Sequence, residues 1–184
     1  MKKITIALSG PPGSGTSSIA KGLAEKLEIK YFSPGQIQKS YSDTKKESLA
    51  ALKVWQTDLG KSEKFHRDVI DKMQIEMAKK GNIIICGKLS IKILEGLADY
   101  KIWIQTPLEI RAERVAKRDG MPVKEVMKII SDRENLERKE WKRIYGFDYF
   151  DQKKLADLVV DNSNLSLEEA IDKIFQFIKA HPIS

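Results

Sequence analysis

At 184 residues the chain is long enough for one compact domain with a full hydrophobic core, burying roughly 70% of its unfolded surface. A lone cysteine, Cys86, excludes a disulfide framework, and the absence of any apolar run of membrane-spanning length or of a leader ahead of the first strand predicts a soluble, cytoplasmic protein. The net charge of +7 suits an anionic partner, nucleotide or nucleic acid, without choosing between them.

The β-branched run Ile4-Thr5-Ile6-Ala7-Leu8 predicts a first strand, and Ile19, Ala20, Leu23, Ala24 and Leu27 recur at helical spacing across residues 17–27. Between them lies Ser9-Gly10-Pro11-Pro12-Gly13-Ser14-Gly15-Thr16-Ser17-Ser18. Such a strand-to-helix turn suits an anion, because glycines let the backbone curl its N–H groups inward while the helix N-terminus adds partial positive charge. Against the phosphate-loop pattern G-x-x-x-x-G-K-[ST] the stretch matches at Gly10, Gly15 and Ser17. It fails at Thr16, where the lysine that reaches the β- and γ-phosphates belongs. The amide cradle does not need that lysine, and Ser17 still offers a hydroxyl to Mg²⁺. A ligand-free glycine turn is the alternative that the motif alone leaves open.

Residues 29–32 predict a second strand, so strand, helix and strand form a βαβ unit with a parallel sheet. Residues 36–80 carry no strand signal. Leu49, Leu52, Val54 and Trp55 fit one amphipathic helix, and Phe65, Val69, Ile70, Met73, Ile75, Met77 and Ala78 fit another. This excursion predicts a helical insertion over the strand ends, where open α/β sheets bind ligands; an elaborated crossover is the alternative. His66 and His181 lack partners at metal-ligand spacing, and they, the Met73 and Met77 stripe and Trp55, Trp103 and Trp141 are expected to be packing or surface residues.

Ile83-Ile84-Ile85-Cys86 lacks polar alternation, as a strand buried on both faces should. Gly87-Lys88 comes next, at its carboxyl end, which places Lys88 to meet a phosphate. Residues 100–104 predict a fourth strand, and Thr106-Pro107 a helix start with a capping hydroxyl. Arg114 and Arg118 on that helix are four apart and share a face. Asp119-Gly120-Met121-Pro122 breaks the helix, and a charged segment carrying Arg133, Arg138 and Arg143 runs to about Ile144. The arginines around this Gly-Met-Pro hinge suggest a mobile phosphate clamp. Residues 155–160 predict the last of five strands, and Ser166-Leu167-Glu168-Glu169 an acidic helix start. The expected fold is α/β: a doubly wound, five-stranded parallel sheet with helices on both faces, a helical insertion and a short lid.

Over essentially its full length the chain resembles the archaeal-type cytidylate kinases, within the nucleoside monophosphate kinase group of P-loop proteins. The resemblance rests on the loop at residues 10–18, Ala20-Lys21-x-Leu23-Ala24-Glu25-Lys26-Leu27, Ser33-Pro34-Gly35-Gln36-Ile37 and Gly81-Asn82-Ile83-Ile84-Ile85-Cys86-Gly87-Lys88-Leu89. It extends through Pro107-Leu108-Glu109-Ile110-Arg111-Ala112-Glu113-Arg114-Val115-Ala116-Lys117-Arg118, Asp132-Arg133-Glu134 with Glu137-Arg138, Tyr145-Gly146-Phe147-Asp148 and Asp157-Leu158-Val159-Val160. Each stretch is modest; their order is specific.

The resemblance implies phosphoryl transfer from ATP, with Mg²⁺, to CMP or dCMP. It implies a core of residues 1–35, 81–118 and 145–184, an acceptor-binding insertion at about 36–80 and a lid at about 119–144. ATP would lie on Gly10, Pro11, Pro12, Gly13, Ser14, Gly15, Thr16, Ser17 and Ser18, with Arg114 on its adenine or ribose side and Ser17 on the metal. Arg118, Arg133 and Lys88 would meet the transferring phosphate, and Ser33, Gly35, Lys39 and Lys88 the acceptor. Lys39 and Lys88 stand where the family habit is arginine, Cys86 where it is often acidic, and Glu140 where a lid arginine is expected. A lysine cannot make arginine's two-pronged contact, so acceptor choice stays open to AMP or UMP, and a nucleotide-binding relative with weak transfer is the second reading. A nucleic-acid binder has only the charge in its favour, since no aromatic platform is interleaved with the basic residues. Oligomeric state is not legible.

Overall fold

The computed structural model describes residues 3–40 and 47–183. Five parallel strands form one sheet in the order β2-β3-β1-β4-β5: β1 Thr5–Ser9, β2 Lys30–Phe32, β3 Ile83–Cys86, β4 Tyr100–Gln105 and β5 Leu158–Asp161. The helices are α1 Thr16–Leu27, α2 Pro34–Ser40, α3 Glu47–Trp55, α4 Asp58–Lys61, α5 Lys72–Lys80, α6 Ser90–Ile93, α7 Leu108–Asp119, α8 Val123–Tyr145 and α9 Leu167–Ala180. A π-helical turn, Phe65–Asp71, runs directly into α5, and a 3₁₀ segment, Tyr149–Leu155, precedes β5.

Strand side chains alternate between faces, and here both faces are apolar. Ile6, Leu8, Ile84, Ile102 and Ile104 pack with Ile19 and Leu23 of α1 and Ala170 and Ile174 of α9. Ala7, Ile83, Ile85 and Trp103 face the other way, onto Ala78, Ile91, Trp55, Trp141 and Tyr149. The sheet is therefore covered on both sides, as its uninterrupted apolar strands require. A third cluster, Ala112, Val115 and Ala116 against Val126 and Ile130, joins α7 to α8. At the carboxyl end of β1, Ser9 Oγ ties the strand to the turn after β3, donating to Gly87 O at 2.7 Å and accepting from Ile91 N at 3.2 Å.

Several boundaries differ from those the sequence predicts. Ile29 does not enter β2, because its N–H closes α1 on Ala24 O while Glu28 takes a left-handed conformation (φ 55°). The second insertion helix divides into the π turn and α5. Thr106 does not cap α7; its hydroxyl donates to Asn162 Oδ1 at 2.6 Å, and Pro107 occupies the N-cap. The final strand starts at Leu158, since Leu155 and Ala156 pack under the sheet and the Asp157 carboxylate receives Lys101 N. The hinge ends α7 as expected, with Gly120 left-handed (φ 63°). Beyond the hinge, α8 is a single helix of 23 residues, with Val126, Ile130, Trp141 and Ile144 buried along it.

Candidate active site

Loop and α1 are shaped by close approaches. A side chain on Gly10 would come within 2.6 Å of Ile104 O, and Gly13 and Gly15 both adopt φ near +80° (81° and 82°), a region costly for other residues. The loop's carbonyls are taken up by side chains. Ser14 Oγ donates to Pro11 O (2.8 Å), Arg111 Nη1 to Pro12 O (3.0 Å) and Asn162 Nδ2 to Ser14 O (2.9 Å). No side chain caps α1, whose N-cap is Gly15. Within the described residues no hydrogen bond uses the amides of Gly13, Gly15, Thr16, Ser17 or Ser18. A concave set of free donors at a helix N-terminus is an anion nest.

That nest opens into a crevice of about 520 Å³ over the carboxyl ends of β1 and β3. Gly10, Pro12, Gly13, Gly15, Thr16, Ser17 and Ser18 border it; Pro11 and Ser14 do not, because both are turned inward as braces of the loop. The cationic side chains of Lys88, Arg114, Arg118 and Arg133 border it as well. Lys88 Nζ donates to Gly10 O at 2.7 Å, so a lysine arriving from β3 sits against the loop that lacks one of its own. Burial, with the nearby Arg133 charge second, pushes the Lys88 ammonium down to about 7. Arg133 is aimed by Glu137, whose Oε1 accepts from its Nε at 2.7 Å and also from Trp55 Nε1 at 3.2 Å. Arg114 is held by Asn162 through Nη1 to Oδ1 (3.2 Å) and Nη2 to the backbone oxygen (2.7 Å). Arg118, at the rim, forms a two-pronged pair with Asp119 (2.6 and 3.0 Å).

At the other end of the crevice lie Ser33 and Gly35, past the end of β2. Lys39 falls within α2, and its side chain lies outside the described residues. The opposite wall holds residues that sequence reasoning missed or gave to packing: His66, Asp71 and Gln74, with Trp141 and Tyr145. His66 stacks on Trp55 with ring centroids 4.8 Å apart, its Nε2 lies 2.7 Å from Gly60 O, and burial lowers its proton affinity. Asp71 accepts from Tyr145 Oη at 2.8 Å, and burial outweighs that bond to push its carboxyl up to about 6. The wider turn of the π segment lets His66 and Asp71, five residues apart, share a face. The available signal was a polar Asp71 and Gln74 set inside an apolar stripe at spacing three. Arg111, Glu137 and Asn162, which hold the loop and the cations, also went unread as site residues. Cys86 is buried at the crevice floor; Glu140 pairs with Arg143.

Among the described residues no group of three histidine, cysteine or carboxylate side chains is placed to hold a metal. Ser17 Oγ at the start of α1, one of several hydroxyls at the crevice, would suit Mg²⁺, a cation that keeps waters and relies on substrate phosphates for much of its coordination. The site therefore fits a cation that enters with a triphosphate. No helix among the described residues is long and apolar enough to cross a membrane.

Residues 5–164 match the model of the cytidylate kinase-like family. The cytidylate kinase of Pyrococcus horikoshii is 36% identical over 178 residues, covering 97% of this chain and 88% of that protein. Those of Methanopyrus kandleri (36%, 96% of this chain and 92% of that protein) and Staphylothermus marinus (32%, 96% and 97%) are similar to the same extent. Among solved structures, an uncharacterized protein from Eubacterium ventriosum superposes with a TM-score of 0.69 at 16% identity, covering 98% of this chain and 100% of that one. A shikimate kinase from Bacteroides thetaiotaomicron gives 0.62 at 14%, covering 97% and 99%. These two likenesses speak for the fold, a P-loop kinase sheet with helices on both faces. With the family match and near-full-length relatives above 30% identity, the loop, the crevice and its cations have their context: this chain belongs to the cytidylate kinase-like family.

Proposed function

We propose that this protein transfers the γ-phosphoryl group of ATP to CMP or dCMP, giving ADP and the pyrimidine nucleoside diphosphate. The observation that supports it most is a single crevice joining the amide nest at α1 to Lys88, Arg118 and Arg133 and then to the polar wall beyond Ser33 and Gly35. Two nucleotides laid end to end would bring their phosphates together at the cations.

In this reading the amides of the loop and of the first turn of α1 hold the triphosphate, and Arg114 lies on its nucleoside side. An acceptor phosphate oxygen attacks the γ-phosphorus as the bond from that phosphorus to the β-bridging oxygen breaks. The negative charge that spreads over the transferring group is met by Lys88, Arg118 and Arg133, which stand in for the lysine absent at Thr16. Arginine suits this role because its fork engages two oxygens and keeps its charge at any relevant pH. Mg²⁺, met by Ser17, would supply further neutralisation of the phosphates when bound. Ser33, Gly35 and Lys39 would seat the acceptor phosphate. Residues 36–80 serve as the acceptor-binding insertion, and the Gly120–Pro122 hinge with α8 serves as the lid that excludes water. Free nucleotides in the cytoplasm are then the partners, with no call on nucleic acid or membrane.

The test is a coupled ADP-release assay with CMP, dCMP, UMP and AMP. CMP or dCMP is expected to exceed the others in kcat/KM by at least about tenfold, and Arg133→Ala to lower kcat by about 10² to 10³. ATP binding with no turnover on any acceptor would reject the reading.

A further inference from the structure

Resting on the cytidylate reading, the choice of base can be assigned to particular side chains. Asp71 and Gln74 are three apart across the junction of the π turn and α5, so they share a face, and both are buried on the crevice wall. Each has one end tied and one end available. Asp71 Oδ2 accepts from Tyr145 Oη (2.8 Å), and no hydrogen bond among the described residues uses Oδ1. Gln74 Oε1 accepts from Ser90 Oγ (2.6 Å), and no hydrogen bond among the described residues uses its amide nitrogen. With Tyr145 and Ser90 as the donors, the free ends are an acceptor from Asp71 beside a donor from Gln74.

We infer that Asp71 and Gln74 read the Watson–Crick edge of the acceptor pyrimidine and select cytosine over uracil. Cytosine presents an amino donor at N4 next to acceptors at N3 and O2, the complement of carboxylate beside amide NH₂. Uracil presents an acceptor at O4 and a donor at N3, so it would set oxygen against the Asp71 carboxylate and N–H against the Gln74 amide. A carboxylate accepting from cytosine N4 is a favoured pairing wherever proteins read that base. A buried polar group left facing a mismatched edge is what makes such sites discriminate strongly. Tyr145 acts as a positioning residue, since its hydroxyl holds the carboxylate and its ring lies under Arg67, 5.2 Å from the guanidinium carbon.

The test is kcat/KM for CMP and UMP on the full-length enzyme and on Asp71→Asn, whose amide offers both a donor and an acceptor. The CMP to UMP ratio is expected to fall at least tenfold, through a higher KM for CMP and a lower one for UMP. A wild-type enzyme that prefers CMP, paired with an Asp71→Asn variant whose ratio stays within twofold, would overturn the assignment and leave the kinase reading intact. A wild-type enzyme inactive on both pyrimidines would instead bring down the reading on which it rests. Should Asp71→Asn not fold, Gln74→Leu and Tyr145→Phe are measured the same way, together with calorimetric binding of CMP and UMP without ATP. A lowered CMP to UMP ratio in either supports the pair, and an unchanged ratio in both rejects it.

Discussion

Lys88 shows how one side chain can carry the consequence of a departure elsewhere in the chain. Thr16 leaves the loop without a lysine of its own, and Lys88, just past the end of β3, comes against it half-buried with its proton held only to about pH 7. The unfolded chain keeps that proton to about 10.5. Between these values the unfolded state binds more protons, so the contribution of Lys88 to stability is poorest below pH 7 and improves as pH rises toward 10.5. A bound phosphate reverses the local balance by favouring the ammonium. MgATP binding at pH 8 is therefore expected to take up as much as one proton. Calorimetry in two buffers of different ionisation enthalpy measures this uptake, which should shrink at pH 6 and vanish in Lys88→Met. Asp71, with its carboxyl near 6, is ionised at pH 8 and does not contribute to the signal.

Among the elements, α9 was readable from its start and α5 was not. Ser166 accepts from Glu169 N at 3.2 Å while Glu169 Oε2 receives Ser166 N at 2.8 Å, a capping box visible in the sequence as Ser-x-x-Glu. This helix packs Ala170 and Ile174 on the face that also holds Ile19 and Leu23 of α1, so its stability supports the helix whose first turn carries the free amides. Ser166→Ala should cost about 1 kcal/mol, read as a lower urea midpoint with unchanged m-value. The π turn ahead of α5 left no such mark, because its apolar residues satisfy a helical pattern whether the turn holds four residues or five. That extra width places His66 and Asp71 on the crevice. Gly60 has a similar hidden role, since a side chain there would meet Val54 O at 2.0 Å. Only glycine lets α4 pass so close to α3.

For the molecule as a whole, the sheet, the insertion and α8 meet at one crevice, and ligands bound there should stabilise all three at once. A nucleotide at one hundred times its Kd adds about 2.7 kcal/mol, or about 5 to 11 °C in Tm for a domain of this size. MgATP and CMP are each expected to raise Tm by that order, and the pair to raise it further, in a dye or calorimetric melt. A melt that responds to MgATP and ignores CMP at millimolar concentration would argue against an acceptor half in the crevice. The aromatic cluster of Trp55, His66, Trp141 and Tyr149 is the place where insertion, α8 and sheet interlock, with Trp55 and Trp141 at 5.4 Å and Trp141 and Tyr149 at 5.1 Å.

The sheet and the glycine turn between β1 and α1 could be read from the order of residues alone because each depends on local rules. Apolar runs of strand length, glycines between strand and helix and an acidic helix start mean the same thing wherever they occur. The polar wall of the crevice could not be read in that way. Asp71, Gln74, Tyr145, Glu137 and Asn162 gain their roles from partners such as Ser90, Trp55 and Ser14 that lie far away in the chain. A carboxylate on a charged helix looks like solvated surface until folding buries it, ties one oxygen and leaves the other facing the cavity. Burial and hydrogen-bond direction are products of the packed structure, and no local pattern in the chain announces them.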